Sequence, residues 1–325
     1  MKKLIITGAS GYIGSCLVQF LKKKYKISSI DKVYSASSHI IKCNMLNLNR
    51  LCKILKKEKP DVVIHLAGQS LVDENINKKK YYLNNVVATK NLIIAMKMNK
   101  IENLIFSSTA AIYKYKNTIL SENDDTNPIS TYAKTKFRCE KLIKNSNINS
   151  IILRFFNVCS ALKINNKVIG ELHNPETHLI PTIVYKNIKR KKIYIYGNDF
   201  KTKDGTCLRD YVHIKDICSS IKSSINYLLK TTNRYEILNI GSNKTFTNFE
   251  ILNNISKITK VKNNYKIIKR RKGDVDKLHC SNRKANNLIK WKPMYSDINN
   301  ILKDEITWVK KLLIKKKFIR FKNYL

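Results

Sequence analysis

A chain of 325 residues with 43% hydrophobic content is long enough to bury one large core or two unequal ones, which excludes a disordered segment or a small module dependent on staples. Its 63 Lys and Arg against 23 Asp and Glu give a net charge of +40, yet only 10 of the basic residues are arginine and lysine is spread along the whole chain. Bidentate recognition of phosphate and guanine favours arginine, so the composition argues against specific nucleic-acid binding and for a diffuse positive field.

The first element is written in "KKLIITGASGYIGSCLVQFLKKK": a β-branched run, a glycine-rich turn, then an amphipathic segment, read as strand, tight loop and helix. "YKISSID" follows as a second strand ending in Asp31. "PDVVIHLAG" (60–68) and "ENLIFSST" (102–109) read as further buried strands, each preceded by a lysine-rich helical segment. Strands alternating with helices imply a parallel sheet covered on both faces, an α/β doubly wound arrangement of Rossmann type. Beyond about residue 160 the pattern becomes irregular, which suggests a smaller C-terminal domain rich in loops. The expected division is a dinucleotide-binding part over 1–158, rejoined by about 212–242, and a mainly substrate-binding part over 159–325. The lysine-rich stretch "KKLLIKKKFIRFK" near the end reads as a solvated helix face.

Nothing in the chain approaches the roughly 20 apolar residues of a membrane span, and the opening "MKKLIITGAS" reaches a glycine too early for a signal peptide. A cytoplasmic protein is therefore expected. Eight cysteines lack any C-x-x-C spacing, so neither a metal site nor a disulfide framework is expected, only reduced and mostly buried thiols.

Glycine is scarce, nine in 325, so Gly8, Gly11 and Gly14 within seven residues stand out. In a strand-to-helix turn they permit a tight bend, close approach to a pyrophosphate and close packing of helix on strand, with the helix N-terminus facing the anion. Asp31, closing the second strand, suits the two ribose hydroxyls of an adenosine and repels a 2′-phosphate, so NAD is favoured over NADP. Tyr132 and Lys136 lie four apart on a predicted helix and share one face. A free phenol is no base at neutral pH, but an ammonium and a cationic nicotinamide both favour the phenolate, which can then remove a hydroxyl proton. Thr109, just past a strand, supplies a hydroxyl to share the substrate oxygen.

The motifs "TGASGYIGS", "DVVIHLAG", "YYLNNV", "IFSSTAAIY", "YAKTK", "LRFFNV", "NPETHLIP", "GNDFKTKDGTCLRDYVH", "LNIGS" and "RRKGD" span essentially the whole chain. In this order and spacing the sequence resembles the extended short-chain dehydrogenases/reductases, and within them the UDP-glucose 4-epimerase family. The resemblance implies that tightly held NAD takes a hydride from C4 of a UDP-hexose, that the 4-keto sugar turns in its pocket, and that hydride returns to the other face. Tyr132 would be the base, Lys136 would position the ribose and lower the tyrosine pKa, and Thr109 would bond the O4 region. Gly8, Gly11, Tyr12, Ile13, Gly14, Asp31, Asn44, Leu66, Ala67, Gly68, Asn84, Ser107 and Phe156 would join Tyr132 and Lys136 around the cofactor. Asn157, His178, Leu179, Tyr196, Arg209, Arg271, Asp274 and Leu278 would join Thr109 around the sugar nucleotide, with the arginines on the diphosphate and Asp274 on the uridine ribose. Four residues past Asp274, Leu278 falls where side-chain size in this family gates the substituent at the sugar's C2. A homodimer built on the helices following "YYLNNV" and "YAKTK" is also implied.

Departures mark where these roles are open. Asn44 stands where the family usually has aspartate, Lys114 replaces a glycine, and "NVCSA" (157–161) replaces a run that normally contains proline and glycine and borders the sugar. Ala110 and Ala111 occupy the positions where 4,6-dehydratases carry an acid and a base, so elimination is disfavoured. UDP-glucuronate epimerases and decarboxylases stay open as alternatives, as does a non-catalytic, NAD-binding regulator with a basic surface.

Overall fold

The computed structural model describes residues 1–33, 40–70, 77–173, 176–232, 234–271 and 273–314. Its centre is a parallel sheet of seven strands. In chain order these are β1 (Lys3–Thr7), β2 (Lys26–Asp31), β3 (Ile40–Lys42), β4 (Val62–His65), β5 (Asn103–Thr109), β6 (Asn149–Phe155) and a last strand at Tyr235–Ile240. Across the sheet the order is Tyr235–Ile240, β6, β5, β4, β1, β2, β3. The chain therefore winds outward in one direction from β1 and in the other from β4.

Alternation within the strands shows why both faces are covered. Leu4 and Ile6 of β1 turn to one side, where they meet Cys16, Leu17 and Leu21 of α1 (Tyr12–Leu21) and the Ile217, Ile221 and Ile225 stripe of a later helix, Ile214–Leu228. Ile5 turns to the other side, against Leu51 and Leu55 of α2 (Leu48–Glu58), Leu92 and Met96 of the helix Ala88–Met98, and Ile143 of the helix Thr131–Lys144. A strand buried on both faces must be apolar at every position, which accounts for the unbroken "LII" and "VVI" runs. The strand read over 60–68 is confined to Val62–His65, with residues 60–61 and 66–68 outside it.

Between Lys78 and Met98 the helix is not uniform: Tyr82–Val87 is wound as a π-helix between two α-helical stretches. Such wide turns are uncommon and concentrate at functional sites. A third core joins Ile180, Ile183 and Val184 of Leu179–Ile188, Ile251 and Ile255 of Asn248–Thr259, and Ile301, Leu302 and Val309 of Ile298–Ile314. The short strand Asn157–Cys159 pairs with Tyr211–His213 and so stitches this part to the end of β6. Residues 315–322 of the lysine-rich C-terminal stretch lie outside the described residues, so the expected solvated face there has no counterpart to report. All eight cysteines are free, seven of them buried. Among the described residues no helix is long and apolar enough to cross a membrane.

Candidate active site

The sheet reverses direction between β1 and β4, and ligands of such folds bind in the crevice outside the strand ends at that switch. The two loops leaving it touch: a Cβ on Gly8, whose φ is +72°, would lie 2.6 Å from the Ala67 nitrogen. On Gly14 a Cβ would lie 2.2 Å from the Gly8 carbonyl oxygen, so α1 packs directly on the turn. Below, the fully buried His65 bridges the Thr7 hydroxyl at 2.7 Å and the Thr89 hydroxyl at 3.0 Å. Burial pushes this imidazole down to about 3, so it is a neutral strut and not an acid or base.

The first turn of α1 has no side-chain cap, leaving its N–H groups directed at the crevice. Asp31 accepts from the Ser10 N–H at 2.9 Å and the Val33 N–H at 3.1 Å, which holds its carboxylate at the rim of β2. A turn with no room for Cβ atoms at Gly8 and Gly14, an uncapped helix start and a strand-terminal carboxylate together fit a dinucleotide of the NAD type. Asn85, in the π-turn, accepts from the Gln69 N–H at 2.7 Å and donates to the Thr135 hydroxyl at 2.9 Å. It thereby pins the Leu66–Gly68 turn to the helix carrying Tyr132.

That helix, Thr131–Lys144, is capped by Ser130, whose hydroxyl accepts from the Ala133 N–H. Capping fixes the first turn, and with it Tyr132 and Lys136 at i and i+4. Tyr132 and Thr109, which the sequence separates by 23 positions, line the same cleft at the end of β5. Burial pushes the Tyr132 phenol up to about 12, and the Thr109 hydroxyl opposes that shift. Lys136 donates to the Ser107 carbonyl at 2.7 Å and lies 4.7 Å over the Phe106 ring. Burial brings the ammonium down to about 8. Its direct partner is thus backbone at the strand end, beside the Gly68 turn.

Across the crevice, Arg209 donates to the Val275 carbonyl at 2.8 Å and lies 3.8 Å from the Asp274 carboxylate. The Arg271 guanidinium stacks 3.9 Å over the Tyr196 ring, and Leu278 pairs with Arg209 in a two-residue strand contact. Asn157 donates to the Asp210 carbonyl at 2.8 Å. One continuous cleft of about 2050 Å³ runs from the glycine turn to these residues. Every site residue read from the sequence lines it, Tyr12, Ile13, Asn44, Asn84, Phe156, His178 and Leu179 included. The altered run at 157–161 is held firmly: Ser160 takes φ +79°, its carbonyl accepts from the Tyr12 phenol, and its hydroxyl donates to the Ile301 carbonyl at 2.9 Å.

Sequence reading missed the support beneath the site. Glu140, one turn past Lys136, forks onto Arg154 at 2.7 and 3.1 Å and accepts from the Ser108 hydroxyl. Arg154 lies 4.8 Å from the Tyr113 ring, and the Tyr113 phenol donates to Asn239 at 2.7 Å. The i+4 relation of Glu140 to Lys136 was the available signal; its partner on β6 was not visible without the sheet. Asp210, in "LRDYVH", accepts from the Ser242 and Asn243 N–H groups at 2.7 and 2.9 Å, so this motif and "LNIGS" are locked together as structure.

A family model described as "NAD dependent epimerase/dehydratase family" matches residues 4–241. The UDP-glucose 4-epimerase of Lactobacillus helveticus is 34% identical over 323 residues, covering 95% of this chain and 97% of its own. A crystal structure of UDP-glucose 4-epimerase from Brucella ovis in complex with NAD superposes with a TM-score of 0.89 at 28% identity, covering 95% of this chain and 98% of that one. The UDP-Glc/GlcNAc 4-epimerase of Campylobacter jejuni superposes at 0.81 with 29% identity, over 96% and 100% of the two chains. With the glycine cradle, the cleft that Tyr132 and Thr109 share and these full-length likenesses in hand, the chain belongs to the NAD dependent epimerase/dehydratase family.

Proposed function

We propose that this chain is an NAD-dependent 4-epimerase of UDP-hexoses, interconverting UDP-glucose and UDP-galactose. The carrying observation is that Tyr132, Lys136 and Thr109 line one cleft with the glycine turn. Gly8, Gly11, Gly14 and the start of α1 would hold the pyrophosphate of NAD, Asp31 its adenosine ribose, and Lys136 its other ribose. When bound, NAD supplies a hydride acceptor and donor at C4 of the sugar. Tyr132 takes the proton of the C4 hydroxyl and later returns it, while Thr109 holds that oxygen in reach. With Lys136 already in place the phenol stands at about 12, and the further positive charge that would bring it down is that of the oxidised nicotinamide. Arg209 and Arg271 present forks to the diphosphate and Asp274 a carboxylate to the uridine ribose. Ala110 and Ala111 border the cleft and carry no proton donor, so water elimination has no acid or base there.

On the same reading, Leu278 leaves room for an acetamido group at C2, and N-acetylated UDP-hexoses are substrates as well. Residues 1–158 with about 212–242 form the cofactor-binding part and the rest mainly the substrate part. The protein is cytoplasmic and homodimeric, paired through Ala88–Met98 and Thr131–Lys144 as a four-helix bundle about a two-fold axis; Tyr82, at the start of that surface, is 42% exposed. The test is to purify the protein, release and identify its cofactor by denaturation, and follow UDP-galactose conversion with no NAD added. A protein that yields no NAD and converts nothing, even with NAD supplied, would refute the reading. Sedimentation at micromolar concentration and physiological salt tests the dimer, and a monomer mass would remove it.

A further inference from the structure

The segment leading into the helix Leu179–Ile188 gathers four metal-ligating side chains at one wall of the cleft. Nδ1 of His178 lies 3.0 Å from Oε1 of Glu171 and 3.1 Å from Oε1 of Glu176, and Nδ1 of His173 lies 2.9 Å from the same Glu171 oxygen. One ligand atom from each of the four lies within 4.8 Å of all the others. With metal–ligand bonds of about 2.0–2.2 Å, donors to one ion stand at most about 4.4 Å apart, so side-chain shifts of a few tenths of an ångström would close the set.

Charge points the same way independently. Glu171 and Glu176 are 5% and 6% exposed, and Glu305 on the helix Ile298–Ile314 is 1% exposed. Both Glu305 carboxylate oxygens and Oε2 of Glu171 are buried without a hydrogen-bond partner among the described residues. Glu171 and Glu176 both act electrostatically on Glu305, placing the three carboxylates in one neighbourhood. In a chain of 63 Lys and Arg, the ion pairs of Glu171 and Glu176 among the described residues are made with His173 and His178 alone. Buried carboxylates persist when paired or when they coordinate metal. The imidazoles have side-chain exposures of 25% and 49%, which leaves a path in from solvent.

We propose that Glu171, His173, Glu176 and His178 bind one divalent transition-metal ion, zinc by preference, with Glu305 adding negative charge nearby. Two imidazoles with two carboxylates suit zinc and its neighbours, whereas magnesium asks for octahedral oxygen and retained water. The ion would tie Glu171 and His173 to Glu176 and His178, at the start of the helix that presents Leu179 to the cleft. The inference concerns these residues alone and does not depend on the reaction catalysed.

The full-length protein, treated with chelator and dialysed, is titrated with ZnCl2 against a chromophoric chelator, and separately with CoCl2 in the spectrophotometer. One equivalent of zinc is expected, weakened at least about tenfold in both His173→Ala and Glu176→Gln, with a cobalt spectrum free of thiolate charge-transfer bands. Glu176→Gln is nearly isosteric, so it reports on the site even if His173→Ala folds poorly. Zinc binding that is absent, that is unchanged in both variants, that shows cobalt–thiolate bands or that yields to equimolar MgCl2 would overturn the proposal and leave the four residues as an ion-pair cluster.

Discussion

The Lys136 ammonium donates to the Ser107 carbonyl oxygen across 2.7 Å, fully buried beside the Phe106 ring. This contact fixes the lysine at the end of β5, next to the strand-terminal Thr109, and it carries an energetic cost. Burial lowers the ammonium from 10.5 to about 8, so between about 8 and 10.5 the unfolded chain binds more protons than the folded one. Stability from this group therefore rises with pH through that window, and the burial penalty is fully present below it. Lys136→Met should raise the stability of the cofactor-free protein at pH 7 by roughly 1–3 kcal/mol while turnover collapses. Thermal melts at pH 7 and pH 10 check this: the advantage should shrink at the higher pH, and a lower melting temperature at pH 7 would contradict it.

Tyr132→Phe removes the phenol hydroxyl and leaves the ring. A fall in kcat of about 10²–10⁴ is expected, the usual weight of general acid–base catalysis. NAD released on denaturation should remain at the parental level, because the cradle of Gly8 and Gly14 is untouched. Near-normal turnover would remove Tyr132 as the base.

The Glu140–Arg154 pair is 3% exposed on both sides. Glu140→Ala leaves a buried guanidinium without its carboxylate and should cost about 3–5 kcal/mol. Glu140→Leu combined with Arg154→Met should recover most of that loss, since neither charge then stays buried and unpaired. Denaturant melts of the single and double variants decide it; a double variant as unstable as the single one would show that the network does more than satisfy its own charges.

Gly14→Ala and Gly11→Ala should separate sharply. The Gly14 Cβ meets backbone atoms at 2.2 and 2.8 Å, whereas the one heavy atom close to a Gly11 Cβ is the Gly8 oxygen at 3.3 Å. Gly14→Ala is expected to lose several degrees of melting temperature and most of its copurifying NAD, with Gly11→Ala much closer to parental stability. Equal melting temperatures would mean that α1 slides on the turn more freely than this packing allows.

Leu278→Tyr tests the breadth of the sugar pocket. The added ring would fill space at C2 without touching Tyr132 or Lys136, so kcat/KM should fall selectively for N-acetylated UDP-hexoses. Equal losses on both substrate pairs, or no N-acetyl activity in the parent, would place the gate elsewhere, with the run at 157–161 the next region to test.

The local devices were legible in the sequence because they depend on neighbours in the chain: the glycine turn after an apolar run, the capped helix bearing Tyr132 and Lys136 at i and i+4, and the carboxylate that closes β2. What lies across strands was not. That Glu140 finds Arg154 on β6 and that Tyr12 reaches the Ser160 carbonyl follow from strand order and helix packing, which no local pattern encodes. The cysteine spacing gave no hint of metal, yet one ligand atom from each of Glu171, His173, Glu176 and His178 lies within 4.8 Å of the others, a grouping of carboxylates and imidazoles on which cysteine spacing is silent. Short-range steric and capping preferences act within a turn or two of helix and can be read directly. Partners tens to hundreds of residues apart are chosen by the register of the sheet and the burial of its two faces, and only the tertiary structure decides them.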